Sequence, residues 1–451
     1  MNKFYWGNSV SSMQTEGGWN EGGKSLSVYD IVEPGEFNSD WHFANDNYHS
    51  YEEDFDLMKD LGMNMYRFQV SWSRCVKDDG AFNEEGFAYY DRFIDALLER
   101  NIEPMICLYH FDMPLSKAKE NGFLSKDVTR DFIRFGMEVM NRFSHKVKHW
   151  ITFNEQNLYH MPMAFKIAGC LQANHDIQEL YQIFHNVMYA HCVLCNHLHD
   201  VSDGKIGGML AYSLVYPKTC NPKDVLAARK WDEFINVTLL EAFAHGEYSR
   251  DMMAFVKNNH IDMRATEEEL NIIKNHKEDY LCFSYYASNV ISAKQIPDNT
   301  PVNWYMQYGQ VRNPYLTATE WNWQIDPDGF RIVLNQIYHR YHLPVFPIEN
   351  GIGVQEEWDG IHPIQDDYRI DYHRQHIHAM QQAKGIDGVE VLGYLGWGMI
   401  DILSSQGDMR KRYGVVYVNR TNHDLRDMRR IPKKSYAWLK KVIHSNGEDL
   451  S

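Results

Sequence analysis

Short runs of apolar, aromatic and β-branched residues recur along the chain, at Phe4–Gly7, Met65–Trp72, Pro104–Tyr109, Trp150–Phe153, Ile206–Tyr212, Tyr280–Tyr286, Val345–Glu349 and Val391–Trp397. Each reads as a strand. The intervening segments carry apolar residues at helical spacing, as in Tyr51–Leu61, where Tyr51, Phe55, Leu57, Met58 and Leu61 share a face. Tyr89–Leu98, Val128–Phe143, Phe330–Tyr341 and Tyr372–Lys384 follow the same rule. Strands alternating with helices predict a parallel sheet, and eight such units predict an α/β fold of one class, a closed (β/α)8 TIM barrel. The remaining residues are expected in elaborated βα loops. No repeat, linker or low-complexity block interrupts the 451 residues, so 1–451 is expected to form a single domain.

A barrel of this kind places its chemistry just after the strands, at their C-terminal ends. The side chains following the runs are Gln14, Arg67 with Trp72, His110, Asn154 and Glu155, Tyr212, Tyr285 and Tyr286, Glu349 and Asn350, and Trp397. They are expected to converge on one pocket.

Composition narrows the partners. The formal net charge of −16 argues against nucleic acid and anionic membranes, which gain nothing from a negative field. The longest apolar stretches, such as Val391–Trp397, are shorter than the roughly 18 residues of a spanning helix. The opening Met1–Asn8 has no apolar core of a leader, so a cytoplasmic protein is expected. Seven scattered cysteines do not make a disulfide framework. Cys192 and Cys195 form a C-x-x-C within a helical pattern that also carries His185, His191 and His197; core packing is the expected role, over redox or metal work. No H-x-x-x-H with an acidic third ligand falls at a strand end, and neither metal nor cofactor is expected.

Two carboxylates stand out at the ends of strands 4 and 7: Glu155 in Thr-Phe-Asn-Glu and Glu349 in Ile-Glu-Asn-Gly. An acid pair across a sugar-sized pocket is the minimum equipment for glycoside hydrolysis. With 61 acidic residues in the chain, helix caps or surface charge are the default reading of a bare pair.

The wording around the pair resembles glycoside hydrolase family 1, the retaining β-glycosidases. Phe4–Gly17 resembles the family's N-terminal signature, Tyr66–Arg74 its Y-R-F-S-x-S-W-x-R block with Gln69 in place of Ser, and Tyr109–Pro114 its Y-H-[WF]-D-x-P. The Thr-Phe-Asn-Glu and Glu-Asn-Gly motifs resemble those of its acid/base and nucleophile, and the likeness runs in order over nearly the whole chain. The resemblance implies Glu349 as nucleophile and Glu155 as general acid/base, with a covalent glycosyl-enzyme. It implies Arg67 and Tyr286 as supports of Glu349, Asn154 on the sugar 2-hydroxyl, Gln14 and His110 on the 3- and 4-hydroxyls, and Trp397 under the apolar sugar face. Trp323 is expected toward the aglycone. Gln156 stands where many members have Pro, and Ser284 where plain glucosidases have Asn.

After strand 8, plain members place a Glu where this chain has Ser404, and Ser404, Lys411 and Tyr413 resemble the S-x6-K-x-Y pattern of the 6-phospho-β-glycosidase branch. A phosphate monoester carries about −1.5 to −2 charges and three acceptor oxygens, which an ammonium and two hydroxyls can satisfy. The small Ser405, where phosphogalactosidases carry Trp, points to 6-phospho-β-glucosides as the small-molecule substrate. Unphosphorylated β-glucosidase or β-galactosidase, 6-phospho-β-galactosidase, and a non-catalytic sugar-phosphate-binding barrel remain the alternatives. The aglycone and the oligomeric state are open.

Overall fold

The computed structural model describes residues 3–451; Met1 and Asn2, part of the opening segment read for a leader, lie outside the described residues. Eight parallel strand positions form the centre: β1 Tyr5–Ser9, β2 Met65–Gln69, β3 Glu103–Tyr109, β4 His149–Phe153, β5 in two pieces at Lys205–Gly207 and Met209–Ala211, β6 Leu281–Tyr285, β7 Val345–Asn350 and β8 Gly393–Trp397. β8 pairs with β1, and pairing continues in order through β4 to the first piece of β5. The second piece pairs with β6, and β6 with β7. A parallel bridge between Val345 and Val391 closes the circle, with Val345 N–H donating to Glu390 O at 2.9 Å and Leu392 N–H to Val345 O at 3.0 Å.

The helices that follow these strands are α1 Asn47–Leu61, α2 Glu84–Glu99, α3 Lys126–Phe143, α4 Ile177–Val201, α5 Pro222–Asp232 continuing through a π turn into Thr238–His245, α6 Pro327–Tyr341, α7 Asp367–Gly385 and α8 Lys434–His444. Their starts obey local chemistry. Asp176 accepts from Glu179 N–H at 2.9 Å to cap α4, and Asp326 accepts from Gly329 N–H at 2.8 Å to cap α6, whose first residue is Pro327. α3 buries Val128, Phe132, Phe135, Val139 and Phe143, one apolar stripe laid toward the sheet and α4. Emptying one such site, as in Phe132→Ala, would cost about 3–5 kcal/mol.

Two cores result. One lies between strands and helices; the other, inside the barrel, is filled by Met65, Met105, Cys107, Ile151, Met209, Cys282, Phe346, Ile348 and Leu395. The interior is therefore packed rather than open, and a ligand has access only from an end. Gly7 lets β1 and β2 approach: a Cβ there would sit 2.0 Å from Met65 O.

Several boundaries differ from the sequence pattern. The Met65–Trp72 run ends as a strand at Gln69, because Trp72–Cys75 turns into a helix that buries Trp72 against Phe123, Phe132 and Phe135. The Ile206–Tyr212 run breaks at Gly208, where a Cβ would meet the Phe243 ring at 2.3 Å. All seven cysteines are free, Cys220 exposed and the others buried. Among the described residues, no helix is long and apolar enough to cross a membrane.

Candidate active site

Glu155 follows β4 directly, with its backbone in the left-handed region at φ 45°, ψ 57°. A non-glycine residue there is strained, and such strain persists where the surroundings over-determine a side-chain direction. Glu349 lies on β7 where the pairing with β6 slips between Pro347 and Glu349, a bulge of the sort that re-aims a side chain. Both carboxylates open onto one cavity of about 420 Å3, together with Gln14, His110, Asn154, Tyr286, Trp323, Trp397 and Tyr413. A second cavity of about 500 Å3 shares Glu155, Tyr286 and Trp323 with the first, and adds Tyr212, Asn289, Gln310, Arg312, Asn322 and Gln324. We refer to them as the Glu349 cavity and the Arg312 cavity; Glu155 stands at their junction.

Arg67 is fully buried behind the pair. Its Nη1 donates to Glu349 Oε1 at 2.8 Å and its Nη2 to Asn154 Oδ1 at 2.7 Å. Tyr286 OH donates to Glu349 Oε2 at 2.9 Å, and Ser284 Oγ to Glu155 Oε1 at 2.6 Å. Burial pushes Glu349 up to about 8 against the pull of Arg67, with the neighbouring Glu155 charge raising it further. Burial also raises Glu155, opposed by the Ser284 hydroxyl and Arg67. At Glu349, Arg67 thus opposes the effect of burial, as a support of that carboxylate should. The two donors on Glu349 favour the negative charge on that side, and Glu155, with one hydroxyl donor and no cation bonded to it, is the better seat for the proton.

The other side chains are fixed more simply. Gln14 is tied at both ends, donating to Leu403 O at 2.7 Å and accepting from Ser11 Oγ at 2.6 Å. Burial, then the Arg67 charge, hold His110 well below the usual imidazole range, so it is neutral; its ring lies 5.6 Å from that of Trp397. The Gln69 departure is structural: its amide donates to buried Asp112 and accepts from Ser12 Oγ at 2.9 Å.

Of the basic run Arg410-Lys411-Arg412, Arg410 pairs with Asp408 at 2.7 Å and Arg412 with Asp401 at 3.0 Å. Lys411, on the opposite side of the short Lys411–Arg412 strand and 9% exposed, has no carboxylate partner among the described residues. Its Nζ sits 3.4 Å from the Trp323 ring centroid, with Trp321 and Tyr413 at 5.1 and 5.6 Å. Burial lowers it to about 8, resisted by Asp408 and Glu320. Gly353 makes room for its stem; a Cβ would fall 2.7 Å from two of its carbons. The Ser404 hydroxyl oxygen accepts from Asp408 N–H at 3.0 Å, leaving its own proton to donate.

The structure also sorts the strand-end list. Trp72, Tyr285 and Asn350 do not reach either cavity. Tyr285 OH donates to Asp326 O at 2.9 Å, and Asn350 Nδ2 to Tyr285 O at 2.6 Å, because alternate residues of a strand point outward. Ser404 and Lys411 stand behind the Glu349 cavity wall, whose surface beside them is Ser405, Gln406 and Tyr413. Trp323, expected only toward the aglycone, lines both cavities and roofs Lys411. Ser284 beside Glu155, Trp321 beside Lys411, and Gln310 and Arg312 in the second cavity were not singled out for these positions. Ser284 was legible, since it is two residues before Tyr286 on the same strand face; the others lie outside the barrel strands, Gln310 on the short strand Gln310–Val311 and Arg312 and Trp321 on irregular chain.

The comparisons agree with this geometry. The profile of glycosyl hydrolase family 1 matches residues 1–448. The chain is 38% identical to the aryl-phospho-beta-D-glucosidase BglH of Bacillus subtilis (strain 168), over 99% of this chain and 98% of that one. It is 35% identical to the 6-phospho-beta-glucosidase AscB of Escherichia coli (strain K12), with the same coverage. Among solved structures, a family 1 b-glucosidase from Thermotoga maritima superimposes with a TM-score of 0.87 at 26% identity, covering 99% of this chain and 98% of that one. The eight-stranded barrel is that of these glycosidases, and the chain belongs to glycosyl hydrolase family 1, whose members are retaining glycoside hydrolases.

Proposed function

We propose that this chain hydrolyses 6-phospho-β-D-glucosides to glucose 6-phosphate and the free aglycone, with residues 1–451 serving as one catalytic barrel. The observation that carries the substrate is Lys411: a buried ammonium without a carboxylate partner, between two cations that each have one. An uncompensated buried charge is costly, and a substrate phosphate is the anion that would compensate it. Ser404, with a hydroxyl proton to give, and Tyr413 supply the neighbouring donors, and no carboxylate stands at Ser404 to repel the phosphate. Relatives named aryl-phospho-beta-D-glucosidase and 6-phospho-beta-glucosidase support the reading.

In the first step Glu349 attacks the anomeric carbon while Glu155 gives its proton to the departing oxygen; the carbon–oxygen bond to the aglycone breaks as the bond to Glu349 forms. In the second, Glu155 takes a proton from water, whose oxygen attacks the same carbon and releases Glu349. Arg67 and Tyr286 receive the returning negative charge on Glu349 without reorganising. The Glu349 cavity takes the phosphorylated glucosyl unit and the Arg312 cavity the aglycone, since the acid between them must reach the oxygen that joins the two. Sugar phosphates of this kind form on import, which supports the cytoplasmic residence expected from the sequence.

Aryl β-glucoside 6-phosphate, aryl β-galactoside 6-phosphate and their unphosphorylated parents, assayed side by side, test the proposal. A kcat/KM for the glucoside 6-phosphate at least about a hundredfold above its parent is expected from one to two charged hydrogen bonds. Equal turnover of phosphorylated and plain glucosides would overturn it, and preference for the galactoside would overturn the glucose assignment alone.

A further inference from the structure

The C-x-x-C of α4 meets, in the fold, two residues about 80 positions further on. His191, Cys192 and Cys195 on α4 face His276 and Glu278, in the segment leading into β6, and all five are buried. This cluster lies on the outer side of β4 and β5, under α4, and its residues line neither the Glu349 cavity nor the Arg312 cavity. The proposed reaction makes no use of it.

Its hydrogen bonding is incomplete in a particular way. His276 Nδ1 lies 2.5 Å from the carbonyl oxygen of Ile273, which can only accept, so Nδ1 carries a proton. The Nε2 of that ring is buried, makes no hydrogen bond among the described residues, and faces Glu278 Oε1 at 3.3 Å. A neutral ring would set one lone pair against another there, so either a proton, making an ion pair, or a metal ion lies between the two. Glu278 Oε1 is also 2.5 Å from His191 Nε2, while Glu278 Oε2 accepts from Gly208 N–H at 2.6 Å. His191 Nδ1 is in turn 2.6 Å from Thr152 Oγ1. Both imidazoles are thus held by Nδ1 and turn Nε2 toward one carboxylate oxygen, the orientation that outer partners impose on metal-binding histidines.

Sulfur completes the set. Cys195 Sγ is 3.6 Å from His191 Nε2. The ligand atoms of His191, Cys195 and Glu278 lie within 4.8 Å of one another, as do those of His191, Cys192 and His276. A tetrahedral centre with bonds of about 2.0 Å to nitrogen or oxygen and about 2.3 Å to sulfur has edges of about 3.3–3.8 Å. The 3.3 and 3.6 Å separations match such edges, and the His191–Glu278 contact needs to open by less than a side-chain rotation. Glu278 and one thiolate would balance a dication. Imidazole with thiolate selects zinc-class ions over magnesium or calcium.

We propose that His191, His276, Glu278 and a thiolate of the Cys192/Cys195 pair hold a single structural zinc-class divalent ion that ties α4 to the segment entering β6. The core-packing role expected for the C-x-x-C considered the helix alone, without the two ligands that the fold brings to it. A closed site of four protein ligands leaves no position for substrate, so the ion stabilises and takes no part in catalysis.

The test is metal content of the full-length chain, purified from zinc-supplemented culture and, separately, refolded from denaturant with zinc to bypass the absence of an open entry path. About one zinc per chain is expected, falling below about 0.1 in His276→Gln and in the double variant Cys192→Ser/Cys195→Ser. Refolding with cobalt(II) should give a thiolate-to-cobalt absorption band in the near ultraviolet, absent from the double variant. Wild-type chain that carries no zinc by either route and gives no cobalt band would overturn the proposal, leaving a proton between Glu278 and the imidazoles. If the variants fail to fold, the wild-type zinc content and cobalt spectrum still decide.

Discussion

The two cavities that meet at Glu155 are built differently. The Glu349 cavity is walled by residues at strand ends: Asn154 after β4, Tyr286 after β6, Glu349 on β7 and Trp397 on β8. Each is held by a partner that is itself buried, as Arg67 holds Asn154 and Glu349 together. The Arg312 cavity is walled largely by chain outside the barrel, the short paired strands Asn289–Ile291 and Gln310–Val311 and the segment 322–324, and its polar groups have spare capacity. Gln310 Nε2 donates to Asn289 Oδ1 at 2.7 Å, while Arg312 is exposed and makes no ion pair among the described residues. A rigid frame suits the sugar on which bonds change, and a looser one suits an aglycone that only has to leave.

The sharpest break of this contrast is Glu349→Gln, which removes the nucleophile and should lower kcat on the order of 10^5-fold for every substrate, whatever its aglycone. Steady-state turnover of an aryl glucoside 6-phosphate measures it; retention of more than about a hundredth of the activity would remove Glu349 from the role. Glu155→Gln should instead divide substrates by leaving group. Loss of a general acid costs roughly 10^2–10^4-fold where the aglycone needs a proton and far less where it does not. Equal loss for nitrophenyl and alkyl leaving groups would count against the acid role. Azide should partly rescue Glu155→Ala and yield the β-azide.

The same contrast explains what was legible in the sequence. Strands are short, apolar and followed at once by their functional residue, so Glu155, Glu349 and Asn154 could be placed from the run before each of them. Inward and outward alternation was not resolved at run ends, which is why Tyr285 and Asn350 were grouped with Tyr286 and Glu349 although they point into the outer core. Lys411 was found because Ser404 and Tyr413 flank it at a recognisable spacing. Its contact with Trp323 joins segments nearly 90 positions apart, and no local pattern encodes that. The partners of the C-x-x-C escaped for the same reason, since His276 and Glu278 lie on loop chain without periodicity.

Lys411→Ala comes next in size and acts at the edge of the Glu349 cavity, beside Trp323 and Tyr413. It should raise KM for the glucoside 6-phosphate about ten- to a hundredfold, the loss of a charged hydrogen bond worth roughly 1.5–3 kcal/mol, and leave plain glucoside almost unchanged. Ser404→Glu should go further against the phosphorylated substrate while plain glucoside holds or improves. Unchanged kcat/KM ratios in both variants would return the enzyme to an ordinary β-glycosidase. In the wild type the ratio should also depend on pH. Lys411 in the free enzyme loses its proton as pH rises through about 8, and the phosphate gains its second charge near pH 6. Preference for the phosphorylated substrate should therefore be greatest between about 6 and 8 and fall above it. Taking the ratio cancels the titration of Glu349, which both substrates share.

The smallest effects belong to the Arg312 cavity. Arg312→Ala and Gln310→Ala each remove a group at its rim whose hydrogen-bonding capacity is not fully used, so a bound aglycone with hydroxyls loses at most one neutral or solvent-screened contact. That corresponds to about 0.5–1.5 kcal/mol, or a two- to tenfold rise in KM for a phosphorylated disaccharide. 6-Phospho-β-glucosyl fluoride has almost no aglycone and should be indifferent to both changes. It still depends on Glu349, Arg67 and Lys411, so it reports on the first cavity while the disaccharide reports on both. If the fluoride suffers as much as the disaccharide, Arg312 and Gln310 act through the frame around Glu155, and the division of labour between the cavities is wrong. If only the disaccharide suffers, the rim recognises the leaving group without disturbing the bond-breaking residues, as a wall built outside the barrel beside one built on its strands should.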